Sequence, residues 1–478
     1  MQNPTAQSKR RNETGDRVMG VVDHQLLKLK SAALVAALLL CFAPSLTKAN
    51  PFPDKLEGHG GPIRSIAVSD DGKTALTASF DYGIIIWDLS PHGAKIRHRL
   101  SGHDAAVNDA VFVSGSNEIV SVSDDGSFAI WSTKTGELLT KIDDTPVKVL
   151  DAATSPDGKM AAIARWDGTA RLFDIKARKE IAKLEGHRGN VNSVTFSADS
   201  KTVYTGSYDG TVRAWRSDDG ALIDQVYNHG WGINVIAAAP ENTLFFGGLD
   251  GTVSAVDAKT GTLKKELSKF DRPVLALTLS PDGKTLASGN GAGFINLYDT
   301  TTLTQKRDAA GSFGPIWGIA FTGNDDALYL VGLDDFASWH PLGKGAKLKP
   351  VKSKFPRRFQ LSNAESEGQL EFQRKCSVCH TLTPDGANRA GPTLYNVFGR
   401  KAGTLDGYTF SKAIIASNII WNAKTIAQLF DDGPDVMIPG TKMPVQRLKS
   451  IERRDELVEF LKKATAPQNA VTQGDTKQ

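Results

Sequence analysis

The stretch KLEGHRGNVNSVTFSADSKTVYTGSYDGTVRAW, residues 183–215, decides how most of this chain folds. It runs from a Gly-His pair (186–187) through an SADSK turn (197–201) and an Asp209-Gly210 turn to Trp215. Outward from it, an aromatic or apolar residue closes a strand at Trp87, Trp131, Phe173, Trp215, Val256, Tyr298 and Trp339, at intervals of 44, 42, 42, 41, 42 and 41. Six residues earlier stand Asp81, Asp125, Asp167, Asp209 and Asp250, and Gly follows four of these five. Asp-Gly between apolar runs makes the tight turn of a hairpin. A second turn recurs as SDDGK (69–73), SPDGK (155–159) and SPDGK (280–284). Turn signals this dense, at a period of about 42 residues, predict a four-stranded antiparallel blade repeated seven times in a ring.

The pairs GH at 58–59, 102–103 and 186–187 and WD at 87–88 give residues 50–340 a resemblance to the WD-repeat β-propeller family. KLEGH occurs at both 55–59 and 183–187, so the chain is expected to enter through an outer strand, with residues 50–56 completing the seventh blade. The sets His59, Ser79, Asp81, Trp87; His103, Ser123, Asp125, Trp131; and His187, Ser207, Asp209, Trp215 imitate catalytic triads. Three copies in one register argue for scaffold instead, and the resemblance implies that each set is a buried hydrogen-bonded tetrad.

A chain of 478 residues exceeds what one core organises, so at least two domains are expected. With 40% hydrophobic and 23% charged residues and a net charge of +4, composition is that of an ordinary globular protein, and no nucleic-acid partner is expected. Residues 1–49 read as an N-terminal extension and signal peptide. Lys28 and Lys30 precede the apolar run AALVAALLLCFAP (32–44), and small residues place cleavage after Ala49. The run falls short of the roughly 20 residues a spanning helix needs, so a membrane association is expected only if the signal stays uncleaved. Export to the periplasm follows. Met19 is an alternative start.

Residues 341–363 carry seven basic residues and no acid and read as an extended linker. Beyond it lies KCSVCH (375–380), with the only two cysteines outside the signal, Cys376 and Cys379, followed by His380. Two thiols three apart would suit a thioredoxin-like disulfide, but the histidine makes CxxCH a haem-attachment signature. The thiols add to the haem vinyl groups, and the next residue is held against the iron.

Downstream, GPTLYNVFGRKAGTLDGYTFSKAIIASNIIW (391–421), IPGTKMPV (438–445) and RRDELVEFLKKA (453–464) closely resemble class I, mitochondrial-like c-type cytochromes across residues 364–465. A small all-α domain with one haem c, attached through two thioethers, is what the resemblance implies, followed by a disordered tail (466–478). It also implies iron ligation by His380 and Met443, with Pro392 accepting the histidine's other ring N–H. Arg400, Tyr408 and Trp421 match positions that hold the propionates. Gly368 and Phe372 match the crossing of the first helix with the last, around Leu457 and Phe460, while Met437 sits where the family is usually aromatic. Phe430 stands where many members carry a tyrosine.

The expected function is a periplasmic monohaem electron-transfer protein with a redox partner protein, and a propeller that docks a protein ligand on an exposed face. The alternative is an oxidoreductase whose propeller carries a catalytic site. His92, His98, His229 and His340, the histidines outside the signal, the GH pairs and CxxCH, show no metal-ligand spacing. No catalytic residue is assigned.

Overall fold

We describe the protein from a computed structural model. The described residues are 54–467 apart from 91–92, 324, 344, 353–363, 378, 385–390, 409, 442 and 444–445. The signal expected in residues 1–49, and the tail beyond residue 467, lie outside them. No helix among the described residues is long and apolar enough to cross a membrane.

A short strand β1 (Lys55–Glu57) precedes the first full blade, which is β2 (Ile63–Val68), β3 (Thr74–Ser79), β4 (Gly83–Ser90) and β5 (Gly93–Ser101), each antiparallel to the last. β3 is buried along its whole length, because neighbouring blades cover both its faces. The outer β5, with the sequence GAKIRHRLS, is largely exposed. The inner strands that follow are β6 (Val107–Phe112), β10 (Val149–Thr154), β14 (Val191–Phe196), β18 (Ile233–Ala239), β22 (Val274–Leu279) and β26 (Ile316–Phe321), each opening a further sheet. Each packs on the next, and β26 returns to β2, so seven blades close a ring. The seventh sheet adds β27 (Ala327–Gly332) and β28 (Phe336–Pro341) and is completed by β1, with Leu56 opposite Ala337. Closure through the N-terminal strand is as the KLEGH repeat predicts. All seven anchors, Trp87 to Trp339, lie on the third strand of their sheets.

Every inner strand shifts register at the same place: Ile63/Ser65, Val107/Asp109, Val149/Asp151, Val191/Ser193, Ile233/Val235, Val274/Ala276 and Ile316/Gly318. The bulge aims the residue after it at the next blade. Asp109 accepts from the Ala152 N–H (3.2 Å), Asp151 from the Val194 N–H (2.9 Å), and Ser193 from the Ile236 N–H (3.2 Å). Ser65 donates to Asp109. Burial and the mutual repulsion of two adjacent carboxyls push Asp151 up to about 8 and raise Asp109 as well. The Arg64 guanidinium lies close enough to feel Asp151, Asp109 and Asp124, while burial pulls its pKa below the ordinary value.

The second region is helical: α1 (Glu367–Lys375), α2 (Lys412–Ala416), α3 (Ala423–Asp432), α4 (Pro434–Met437) and α5 (Ile451–Ala464). Side chains of Ser366, Ser411, Asn422 and Ser450 cap four of them. α1 crosses α5 where Gly368 meets the Glu456 carbonyl; a Cβ on Gly368 would stand 2.1 Å from that oxygen. Phe372 and Phe460 fill the contact, their rings 5.7 Å apart. Of residues 341–363, expected to be an extended, mobile linker, 341–343 and 345–352 are instead held on the propeller. Leu342 N–H donates to Asp326 (2.7 Å), Leu348 is buried in the core of the sixth and seventh blades, and Lys55 reaches the Lys352 carbonyl. An apolar residue inside a basic stretch outweighs the self-repulsion that suggested extension.

The Asp109–Asp151 pair sets a pH dependence. Asp151 has a folded-state pKa of about 8 against an ordinary value of 3.8, so across that window the folded chain keeps a proton that the unfolded chain releases. Stability therefore falls as pH rises through the window and levels above it. Asp151→Asn, which keeps a neutral donor beside Asp109, is expected to flatten this part of a melting-temperature profile between pH 4.5 and 8.5 relative to the parent.

Candidate haem site

α1 hands the chain directly to the two thiols. Cys376 is its C-terminal cap, with its N–H bonded to the Phe372 carbonyl (2.8 Å), and the next turn closes through Cys379 N–H (3.0 Å) and His380 N–H (2.9 Å) on the Cys376 carbonyl. No disulfide joins the two cysteines; Cys376 is buried and Cys379 half-buried. Burial pushes the Cys376 thiol up to about 12, and Cys379 adds to the shift. A thiol held neutral in this way lacks the activated sulfur of disulfide-exchange chemistry.

His380 Nδ1 lies 2.7 Å from the Pro392 carbonyl, the acceptor that the sequence assigns to it. Burial holds the imidazole below its ordinary value, so it is neutral, and the Pro392 bond fixes the tautomer with Nδ1 protonated. Among the described residues no hydrogen bond engages Nε2, which is the nitrogen left for a metal. Gly391 forms the other side of the ring's seat: a Cβ there would stand 2.4 Å from His380 Cε1 and 2.7 Å from Nδ1. Sequence reading missed Gly391, although its place immediately before Pro392 signalled a close approach.

Arg400 is committed in part to main chain, donating to the Thr393 (2.8 Å) and Tyr395 (3.2 Å) carbonyls, and so braces the segment that carries Pro392. Thr393, also missed, donates to the Thr383 carbonyl across the same loop (2.7 Å). Trp421 pairs with Arg400 through the backbone (3.0 Å) and packs on the helical core. Tyr408 stacks edge-on against Phe410 (4.7 Å); burial, with Cys379 nearby, pushes its hydroxyl up to about 12. Met443 packs against the core that contains Phe372, Cys376, Phe430 and Leu457, so the second assigned ligand and one attaching cysteine border the same apolar cluster. A buried and a half-buried thiol, a neutral oriented imidazole and an adjoining apolar cluster fit a covalently held macrocycle.

The family description "Cytochrome c" matches residues 365–465. Cytochrome c from Gibberella zeae is 38% identical over 99 residues, 21% of this chain and 92% of that protein. That from Kluyveromyces lactis is 36% identical over 101 residues, 91% of its length. This chain belongs to the cytochrome c family. The family carries haem c covalently, and this domain is its electron-transfer haem site. "WD domain, G-beta repeat" matches residues 52–88, 94–132, 136–174, 178–216 and 261–299. WD repeat-containing protein 55 from Mus musculus is 29% identical over 248 residues, 51% of this chain and 63% of that protein, so the chain spans less than two thirds of that relative. The matched repeats leave out Val256 and Trp339, the anchors of the fifth and seventh blades.

In the WD repeats the triad-like sets are framework, with one correction. His59 Nδ1 meets Asp81 (2.9 Å), but its Nε2 and the Trp87 indole N–H both meet Thr77 Oγ1 (2.7 and 2.8 Å) rather than Ser79. Ser121 and Thr205 play the same part for His103 with Trp131 and for His187 with Trp215. Trp87 stands opposite Ala75 on β3, so its indole reaches Thr77, the next residue on that face. Ser79 lies one pleat further, roughly 7 Å along the strand, and bonds the Pro62 carbonyl (2.8 Å). In blade 5, Phe246 and Val256 replace hydroxyl and indole, and His229 turns to give Nε2 to Asp250 (3.1 Å). Among the described residues no cluster of three His, Cys, Asp or Glu could hold a metal ion.

Gly391→Ala should leave both thioethers in place, because Cys376 and Cys379 are untouched, while forcing the His380 ring off its seat. The expected outcome is an unchanged haem mass adduct by mass spectrometry, with a visible spectrum shifted away from the parent's and a lower melting temperature.

Proposed function

We propose that this protein is a periplasmic one-electron carrier whose propeller serves as a docking scaffold for a partner protein. The observation that carries the redox half is His380: half-buried, its imidazole held neutral, bonded through Nδ1 to Pro392, and placed directly after Cys376 and Cys379 in the chain. Haem c supplies a one-electron couple when bound, and a His/Met pair leaves iron no open position for substrate. Cys376 and Cys379 would hold the ring by thioethers, His380 would ligate one face and Met443 the other. Arg400, Tyr408 and Trp421 would donate to the propionates. The Pro392 carbonyl keeps the proton on Nδ1 and the imidazole in one orientation. Phe430, buried where a tyrosine is common, offers no hydroxyl to the Met443 side.

The scaffold half rests on exposed aromatics. Trp166 and Tyr208 stand immediately before the turn aspartates Asp167 and Asp209, and Trp231 lies in the adjoining loop; their exposures are 58%, 59% and 65%. Large aromatic side chains left in water at equivalent turns of neighbouring blades suit a protein partner. Periplasmic placement rests on the basic, apolar and small-residue order of residues 28–49.

Mass spectrometry and absorbance of the protein recovered from the periplasmic fraction test this reading. Cys376→Ala/Cys379→Ala is expected to lose the covalent haem mass. Met443→Ala is expected to keep that mass, lose the near-infrared methionine-to-iron band, and show a lower reduction potential. Retention of the band in Met443→Ala would refute the ligand assignment.

A further inference from the structure

Glu371 is a charged residue enclosed at the crossing of α1 with α5, its side chain 0% exposed. Arg453 of α5 donates to its Oε1, and Arg374 of α1 reaches the same oxygen at 3.4 Å. Both guanidiniums stay 44% exposed. Oε2 is buried too, and it has no hydrogen-bond partner among the described residues. Lys375, the next basic residue of α1 after Arg374, is turned to the Arg447 carbonyl (3.4 Å).

A clamp between two helices gains nothing from this arrangement. Guanidinium and carboxylate make their strongest contact as a fork that uses both oxygens. An apolar side chain of similar volume, packed beside Phe372 and Leu457, would hold such a crossing at least as well as a buried ion pair. Glu371 instead puts both donors on one oxygen and leaves the other in the core. Water screens the two partly exposed cations more than the enclosed anion, so the cluster presents a negative field to the interior.

That interior holds the haem attachment. Cys376 caps α1 with its N–H on the Phe372 carbonyl (2.8 Å), and it follows Glu371 by five residues, a Cα separation of roughly 9 Å along a helix. Phe372, Cys376 and Met443 border one apolar cluster, a low-dielectric medium in which a charge acts strongly at that range. The Cys376 thiol registers it: after burial and Cys379, the Glu371 charge is the further cause that raises it.

We propose that the Glu371 carboxylate helps set the reduction potential of the haem attached at Cys376, holding it below what the His380/Met443 pair alone would give. This rests on the haem reading above and adds a determinant outside the ligand set. Ferric haem carries one more positive charge than ferrous, so a fixed anion beside it favours the oxidised form. Arg453 offsets part of that effect.

Potentiometric titration of the full-length holoprotein tests this with Glu371→Gln, Arg453→Met and the double variant. Glu371→Gln keeps the side chain's shape and is expected to raise the potential, so that at the parent's midpoint reduced haem is in severalfold excess. Arg453→Met leaves the carboxylate less compensated and is expected to lower it, with oxidised haem in severalfold excess at the same setting. The double variant is expected to fall between them. All three should keep the haem mass and the near-infrared methionine-to-iron band. A merely structural role would loosen the crossing, lower the melting temperature and move both single variants in the same direction. That result, or unmoved potentials with the haem intact, would overturn this inference and leave the haem reading standing. Absence of haem from the parent would overturn both.

Discussion

Three residues hold the ring shut. β1 lies at the opposite end of the propeller sequence from β28, yet its pairing with that strand supplies the outer strand of the seventh blade. Without Lys55–Glu57, β28 would present an unpaired edge, and Leu56, fully buried against Ala337 and Tyr329 in the core of that blade, would be lost from it. Because each blade contacts only its two neighbours, an opening anywhere relaxes the inner strands in turn. The bulge network answers the same constraint from inside. Asp109, Asp151 and Ser193 each accept a backbone N–H of the next blade, tying inner strands that share no ladder hydrogen bonds.

Much of this was legible in the sequence, and the limits have physical causes. Period, anchor residues and turn chemistry repeat, so they identify seven blades even where the fifth and seventh drift. The bulges were not legible, since a shift of register depends on how strands pair and leaves alternation along one strand intact. The tetrad hydroxyl was misplaced for a related reason. Thr77 and Ser79 point to the same face, and only the tilt of the Trp87 indole decides between them. Leu348 shows the reverse failure: a basic stretch read as free connector contains one apolar side chain that finds a core.

At the haem site the balance differs. CxxCH and the order of the later motifs announce the chemistry, and the structure adds what orients it. His380 is caught between the Pro392 carbonyl and the bare face of Gly391, and Arg400 braces the segment that presents both. Residues named for propionates thus also stiffen the proximal side.

The two regions meet opposing demands. An electron carrier works through an edge exposed enough for fast exchange, whereas an exposed edge also reacts with any oxidant that reaches it. A separate scaffold resolves this if it holds the partner, for a partner already held meets the edge at a higher effective concentration than a free oxidant does.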